Sequence, residues 1–175
     1  MRRRTFLCCA SAIVALGVIA GAAETVRITP ITHDQKVFVS FELTDAYTDA
    51  IRESISSGLR TTFSYDVTLR MEAWVDRTIA TTVVSTSDQY DNLTRQHRLT
   101  RTIDGRVEDA TVTDDESVVR TWLTTWKRLP LCETSKLDAT RDYYVRISAR
   151  ARPSAGSLIG WASSITGQTK FTFIP

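Results

Sequence analysis

The chain has 175 residues, 42% of them hydrophobic and 24% charged, with 22 Lys and Arg against 20 Asp and Glu. That is the length and apolar content of one ordinary domain with its own core. The formal charge of +2 is nearly balanced, so a general nucleic-acid role lacks its usual electrostatic support.

Met1-Arg2-Arg3-Arg4 is followed by an apolar run from Phe6 to Ala20 and by the small residues Gly21-Ala22-Ala23. A basic start, an apolar stretch and an A-x-A-like end make residues 1–23 an expected signal peptide, cleaved after Ala22 or Ala23. Residues 24–175 are then expected to form a single, mostly β domain that is periplasmic or otherwise exported. Arg3-Arg4-Thr5-Phe6-Leu7 also resembles a twin-arginine signal, but a lone pattern of this kind is weak and the Sec route is the expectation. If uncleaved, the segment from Phe6 to Ala23 approaches the roughly 20 residues that span a bilayer and would be the chain's membrane contact. Cys8 and Cys9 lie too early in the apolar run to be a lipoprotein cysteine. Losing Arg2, Arg3 and Arg4 leaves 19 Lys and Arg against 20 Asp and Glu, a charge of about −1, which argues against a nucleic-acid partner. Of the cysteines only Cys132 survives, which excludes an intramolecular disulfide and a structural zinc cluster. With His33 and His97 as the only imidazoles, neither a metal site nor a cofactor is expected.

Along the chain, Lys36–Leu43 alternates with Val37, Val39, Phe41 and Leu43 on one face, as a half-buried strand does. Thr44 is positioned to cap a helix over 45–57, with Tyr47, Ala50, Ile51 and Ile55 on one side and Gly58 at its stop. Period two returns from Thr61 to Trp74. Strands follow over 78–90, 93–103 and 106–112, joined by Asp91-Asn92 and by Asp104-Gly105, a strong two-residue hairpin signal. With those turns Arg101 would face Glu108 and Asp88 would face Arg95. Thr113-Asp114-Asp115-Glu116 reads as a capping box for a second helix whose stripe is Val118, Val119, Trp122, Leu123 and Trp126, ending at Lys127-Arg128 before Pro130. Trp122 is expected to be buried. Arg141–Arg152 alternates Tyr143, Val145, Ile147, Ala149 and Ala151 inward against Tyr144, Arg146, Ser148, Arg150 and Arg152 outward. A short strand near 158–163 and a last one over 170–174 complete an α+β fold: an antiparallel sheet or sandwich with two helices packed on it.

No catalytic signature is present: there is no nucleophile elbow, no H-E-x-x-H and no phosphate-cradling glycine loop, and in Gly156-Ser157-Leu158-Ile159-Gly160 the serine is misplaced. Asp45 and Asp49 sit one helical turn apart, and His97 lies on a mixed strand face where a packing role is expected. Asn92-Leu93-Thr94 matches a glycosylation sequon but carries no weight in what looks like a bacterial protein. The most directional surface feature is the stripe Arg146, Arg150 and Arg152, three guanidinium groups able to receive phosphate, carboxylate or an acidic partner. A solvated sheet face, or an edge strand charged against aggregation, would show the same pattern.

Phe41-Glu42-Leu43, Ala50-Ile51, Gly58-Leu59, Leu69-Arg70-Met71-Glu72-Ala73-Trp74, Tyr90-Asp91-Asn92-Leu93-Thr94-Arg95-Gln96 and Tyr143-Tyr144-Val145-Arg146 together resemble the bacterial exported family catalogued as domain of unknown function 4390. The likeness spans roughly Val37 to Arg152; in the tail, Trp161 stands apart from Phe171 and Phe173, where the family has a second aromatic pair. The resemblance implies no established activity. Family members are often encoded beside a nitrogen-regulation type sensor histidine kinase, which implies a signalling or envelope role.

The expectation is therefore a non-catalytic envelope protein that binds a protein, such as a sensor histidine kinase, or an anionic ligand through Arg146, Arg150 and Arg152. The alternatives are a carboxylate-based envelope hydrolase using residues such as Asp45, Asp49, Asp114 and Asp115, and a small-molecule carrier with an apolar pocket.

Overall fold

Val26 and Ile28 point inward from Val26–His33 (β1), and Val37, Val39, Phe41 and Leu43 point inward from Lys36–Leu43 (β2). The two strands close an antiparallel hairpin through Asp34 and Gln35, both at positive φ, as a two-residue turn matched to strand twist requires. The computed structural model describes residues 25–153 and 164–174, so the expected signal segment and the expected strand near 158–163 lie outside the described residues.

Asp49–Ser56 (α1) follows, capped by Thr48, whose Oγ1 accepts from the Ile51 amide, and buries Ile51 and Ile55. The helix is shorter than 45–57 because Asp45 sits at φ +58 and Thr44 donates its amide back to Thr25 beside β1, which keeps the chain extended past β2. It ends as expected at Gly58, whose φ of +81 only glycine holds without strain.

Thr61–Met71 (β3), Arg77–Asp91 (β4), Gln96–Ile103 (β5) and Arg106–Thr113 (β6) form an antiparallel meander. The Asp104-Gly105 turn holds. The link at Asp91 is longer than two residues: Asp91 pairs with Gln96, and its Oδ1 accepts from the amides of Leu93 and Thr94. That loop moves the register, so Asp88 faces Leu99 rather than Arg95, and a bulge after Arg101 sets it opposite Asp109 rather than Glu108.

Glu116–Thr124 (α2) runs straight into Thr125–Glu133 (β7), which pairs with β2. The expected continuation of the helix to Arg128 gives way because the open edge of β2 supplies backbone partners, and because Arg128 sits at φ +53 with its amide on Ser40 Oγ. The N-cap is Asp115, whose Oδ1 accepts from Ser117; Thr113 instead accepts the Asp115 amide. Trp126 is therefore a buried strand residue, and Trp122 is half-buried rather than buried. A 3-10 turn at Thr134–Lys136 leads to Asp142–Pro153 (β8), and Ile165–Thr172 (β9) ends the sheet.

The fold is α+β, as expected. A six-stranded antiparallel sheet, β6-β5-β4-β3-β8-β9, packs on a three-stranded one, β1-β2-β7, around one hydrophobic core. At one side β1 lies beside β9, where a Cβ on Gly167 would come within 2.6 Å of Val26 Cβ; only glycine permits that approach. At the other side the small sheet falls short, and α2 packs against β4 and β5, while β6 is exposed along nearly its whole length.

Candidate functional site

Two surfaces gather polar side chains. The first is the outer face of the six-stranded sheet, where Arg146, Arg150 and Arg152 are all exposed. β8 pairs with β3 from Tyr143 to Pro153 but with β9 only from Asp142 to Ala149, so Arg146 lies between Thr68 and Gln168, while Arg150 and Arg152 have Ser64 and Thr62 opposite them on one side. Arg146 has a strand on either side, so edge protection does not account for it; Arg150 and Arg152, paired on one side only among the described residues, fit that role as well. Arg150 approaches Asp66 at 3.9 Å, while Arg146 and Arg152 make no ion pair within 4.0 Å among the described residues.

The second is a cleft of about 570 Å3 walled by α1, by the β4–β5 loop and by the start of α2. His97 of β5 lines it, and its Nδ1 binds Oδ2 of Asp88, fully buried on the inner face of β4, at 2.8 Å. Burial raises the Asp88 carboxyl, and the His97 hydrogen bond and charge oppose that rise. Asp88 Oδ1 has no hydrogen-bond partner among the described residues. Fixing Nδ1 fixes the ring, which leaves Nε2 as the polar atom that His97 offers; its other neighbour is the Tyr90 ring, 4.6 Å away between centroids.

The walls are joined across the cleft. Arg52 of α1 donates to Glu116 of α2 at 2.7 Å and to Asp49 at 2.8 Å. Tyr47 lies under the guanidinium groups of Arg52 and Arg120, 5.8 and 5.9 Å from its ring centre. Its phenol is pushed up to about 12 by burial first and then by the Glu116 and Asp88 carboxylates. Gly58 O accepts from Gln89, tying the end of α1 to β4.

A family model described as "Domain of unknown function (DUF4390)" matches residues 20–157. The chain belongs to this family. No curated protein and no solved structure matches it. In this DUF4390 chain the matched segment contains the arginine strand and every residue lining the cleft. Tyr90, Thr94, Arg95 and Gln96, from a stretch that carries the sequence resemblance, form one wall. Trp74, from another such stretch, is fully exposed at the β3–β4 turn.

The carboxylates singled out in the sequence do not converge. Of Asp45, Asp49, Asp114 and Asp115, only Asp114 lines the cleft; Asp115 caps α2, Asp49 pairs with Arg52, and Asp45 stands in the turn after β2. The cleft's charged lining, Arg52, Arg95, Asp114 and Glu116, differs from the apolar pocket a hydrophobic carrier would need. Between the sheets, the space by Leu43, Phe63, Ala151 and Ile165 is about 10 Å3, too small for an organic ligand.

Sequence reasoning missed Arg95 and Asp114 as a pair, and it placed Arg95 on a strand. The signal available was Tyr90-Asp91-Asn92-Leu93-Thr94-Arg95, in which Asp91 can fold a loop onto its own following amides.

Proposed function

We propose that the chain is an exported accessory protein of the cell envelope that has no catalysis of its own. It docks an acidic segment of an envelope protein, such as a membrane sensor histidine kinase, on the arginine face of its large sheet. The observation that carries this reading is that Arg146, Arg150 and Arg152 are exposed together on one face of the large sheet, flanked by Thr62, Ser64, Thr68 and Gln168. At about 3.3 Å per residue the three charges are spread over roughly 20 Å, the reach of six or so residues of an extended acidic segment. Guanidinium forks suit carboxylates in particular. The absence of a catalytic motif in the sequence supports the non-catalytic reading, as does a His97 whose hydrogen bond goes to Asp88 and, among the described residues, to no hydroxyl. Residues 1–23 would direct export through the Sec route. Among the described residues no helix is long and apolar enough to cross a membrane.

Two measurements test this. Fusion of residues 1–24 to a reporter active only outside the cytoplasm should give activity; an inactive fusion would remove the export half of the reading. A photo-crosslinking amino acid at Ser148, between Arg146 and Arg150, should trap a discrete protein adduct in intact cells. The adduct should disappear when Arg146, Arg150 and Arg152 are all changed to Gln. No adduct, or an adduct indifferent to the arginines, overturns the docking half.

A further inference from the structure

The arginine face does not involve the cleft, and the cleft has charge chemistry of its own. Four formally charged side chains besides His97 line it: Arg52, Arg95, Asp114 and Glu116. Arg52 and Glu116 satisfy one another at 2.7 Å. Arg95, on the β4–β5 loop, and Asp114, just before α2, are left over. Neither has an ion-pair partner within 4.0 Å among the described residues, and they do not pair with each other although they line the same cleft. Two unpaired charges of opposite sign on one cleft complement a molecule that carries one charge of each sign.

We propose that this cleft binds a small zwitterion of the free amino-acid class, its carboxylate held by Arg95 and its ammonium group by Asp114. His97 Nε2 adds a polar contact to the carboxylate, because Asp88 holds Nδ1 from below and fixes the ring. Ile55 and the Tyr90 ring supply the apolar surface for the rest of the molecule. The cleft volume, about 570 Å3, falls within the range of small-molecule sites, roughly 300 to 1,000 Å3. Both ligating charges stand on exposed segments, so they can be removed without touching the core. Because the argument uses no residue of β8, its failure and that of the arginine-face reading are separately visible.

The test is titration of the purified exported protein with glycine, leucine, glutamate, lysine, β-alanine and γ-aminobutyrate, followed by calorimetry and by amide chemical shifts. At least one of these should bind saturably and shift the amides of residues 94–97 and 113–116. Its N-acetyl and its C-terminal amide derivatives, each short of one charge, should bind more weakly by about tenfold or more, the loss of one charge-assisted hydrogen bond. Asp114→Asn should weaken binding similarly, as should Arg95→Asn, which suits the loop's φ of +56. Both variants should keep the wild-type melting temperature. The proposal is overturned if none of the six binds, if shifts fall elsewhere, if a derivative binds as well as its parent, or if binding survives both variants.

Discussion

The Arg101 guanidinium lies over the ring of Trp122 at 4.2 Å and near that of Trp126 at 5.1 Å, and its Nη2 donates to the carbonyls of Trp122 at 3.0 Å and Thr125 at 2.7 Å. These carbonyls sit where α2 ends, and a helix end leaves its last carbonyls without partners inside the helix. Tyr65 and Thr86 donate to the neighbouring carbonyl of Leu123, so three side chains of the large sheet hold the end of α2. Arg101 is a positioning residue for the fold, and burial depresses its guanidinium, a sign of the desolvation this role costs. Arg101→Met keeps the apolar stem and removes the donors, so it should cost about 2 to 4 kcal/mol in urea denaturation. Arg101→Lys should not restore the loss, because an ammonium lacks the flat fork that stacks and donates at once. A Met variant within about 0.5 kcal/mol of wild type would show that the carbonyls find other donors. From sequence, Trp122 and Trp126 look like one helical stripe four residues apart. Their shared partner is a strand residue more than 20 positions away, which no local spacing reveals.

At the level of elements, local chemistry was readable and long-range pairing was not. The alternation of Lys36–Leu43 and Thr61–Met71 has one buried face in each case, and period two reports that directly; in Asp142–Pro153 Tyr144, expected outward, is buried as well, with its hydroxyl on Asp76. β1 and β7 were not foreseen because each holds a proline, Pro30 and Pro130, which edge strands tolerate and which otherwise reads as a break. The box at Thr113–Glu116 marks the start of α2 correctly to within two residues but assigns the cap to Thr113 instead of Asp115. Asp115 accepts the Ser117 amide at 2.8 Å, and the Ser117 side chain, then this amide, hold its carboxyl below the usual range. Asp115→Ala should therefore cost about 1 kcal/mol, a normal N-cap loss, and Thr113→Ala clearly less. The reverse order in denaturation midpoints would return the cap to Thr113.

For the molecule as a whole, the arginine stripe was legible because it lies on one strand, whereas the cleft joins α1, the β4–β5 loop and the start of α2 and becomes visible only once the sheet order is known. The same long-range packing sets how stability depends on pH, and the two limbs have different origins. Asp76, Asp91 and Asp115 are all held below the usual carboxylate range: Asp76 by the Tyr144 hydroxyl, Asp91 by the amides of Leu93 and Thr94, and Asp115 by Ser117. A depressed carboxyl stabilises the fold above its unfolded pKa, about 3.9, and that contribution is lost as pH falls through the depressed value. Buried Asp88, raised instead, has the opposite sign: its contribution is complete at low pH and fades as pH rises, so it blunts the acid limb. On the alkaline side Tyr47 is pushed up to about 12 and the buried Tyr65 hydroxyl is raised as well. A raised phenol stabilises fully below its unfolded pKa of about 10, and this is lost as pH climbs through the folded value. The Cys132 thiol, raised by burial, acts in the same direction and begins earlier. Melting temperature should thus be level from about pH 5 to 8 and fall below about pH 4 and above about pH 10. Asp91→Asn, which keeps an oxygen for the two amides but no charge, should flatten the acid limb, and Tyr47→Phe should flatten the alkaline one. An acid limb unchanged in Asp91→Asn would assign the loss to other carboxylates, and an alkaline limb unchanged in Tyr47→Phe would mean that Tyr47 ionises as readily in the folded protein as in the unfolded chain.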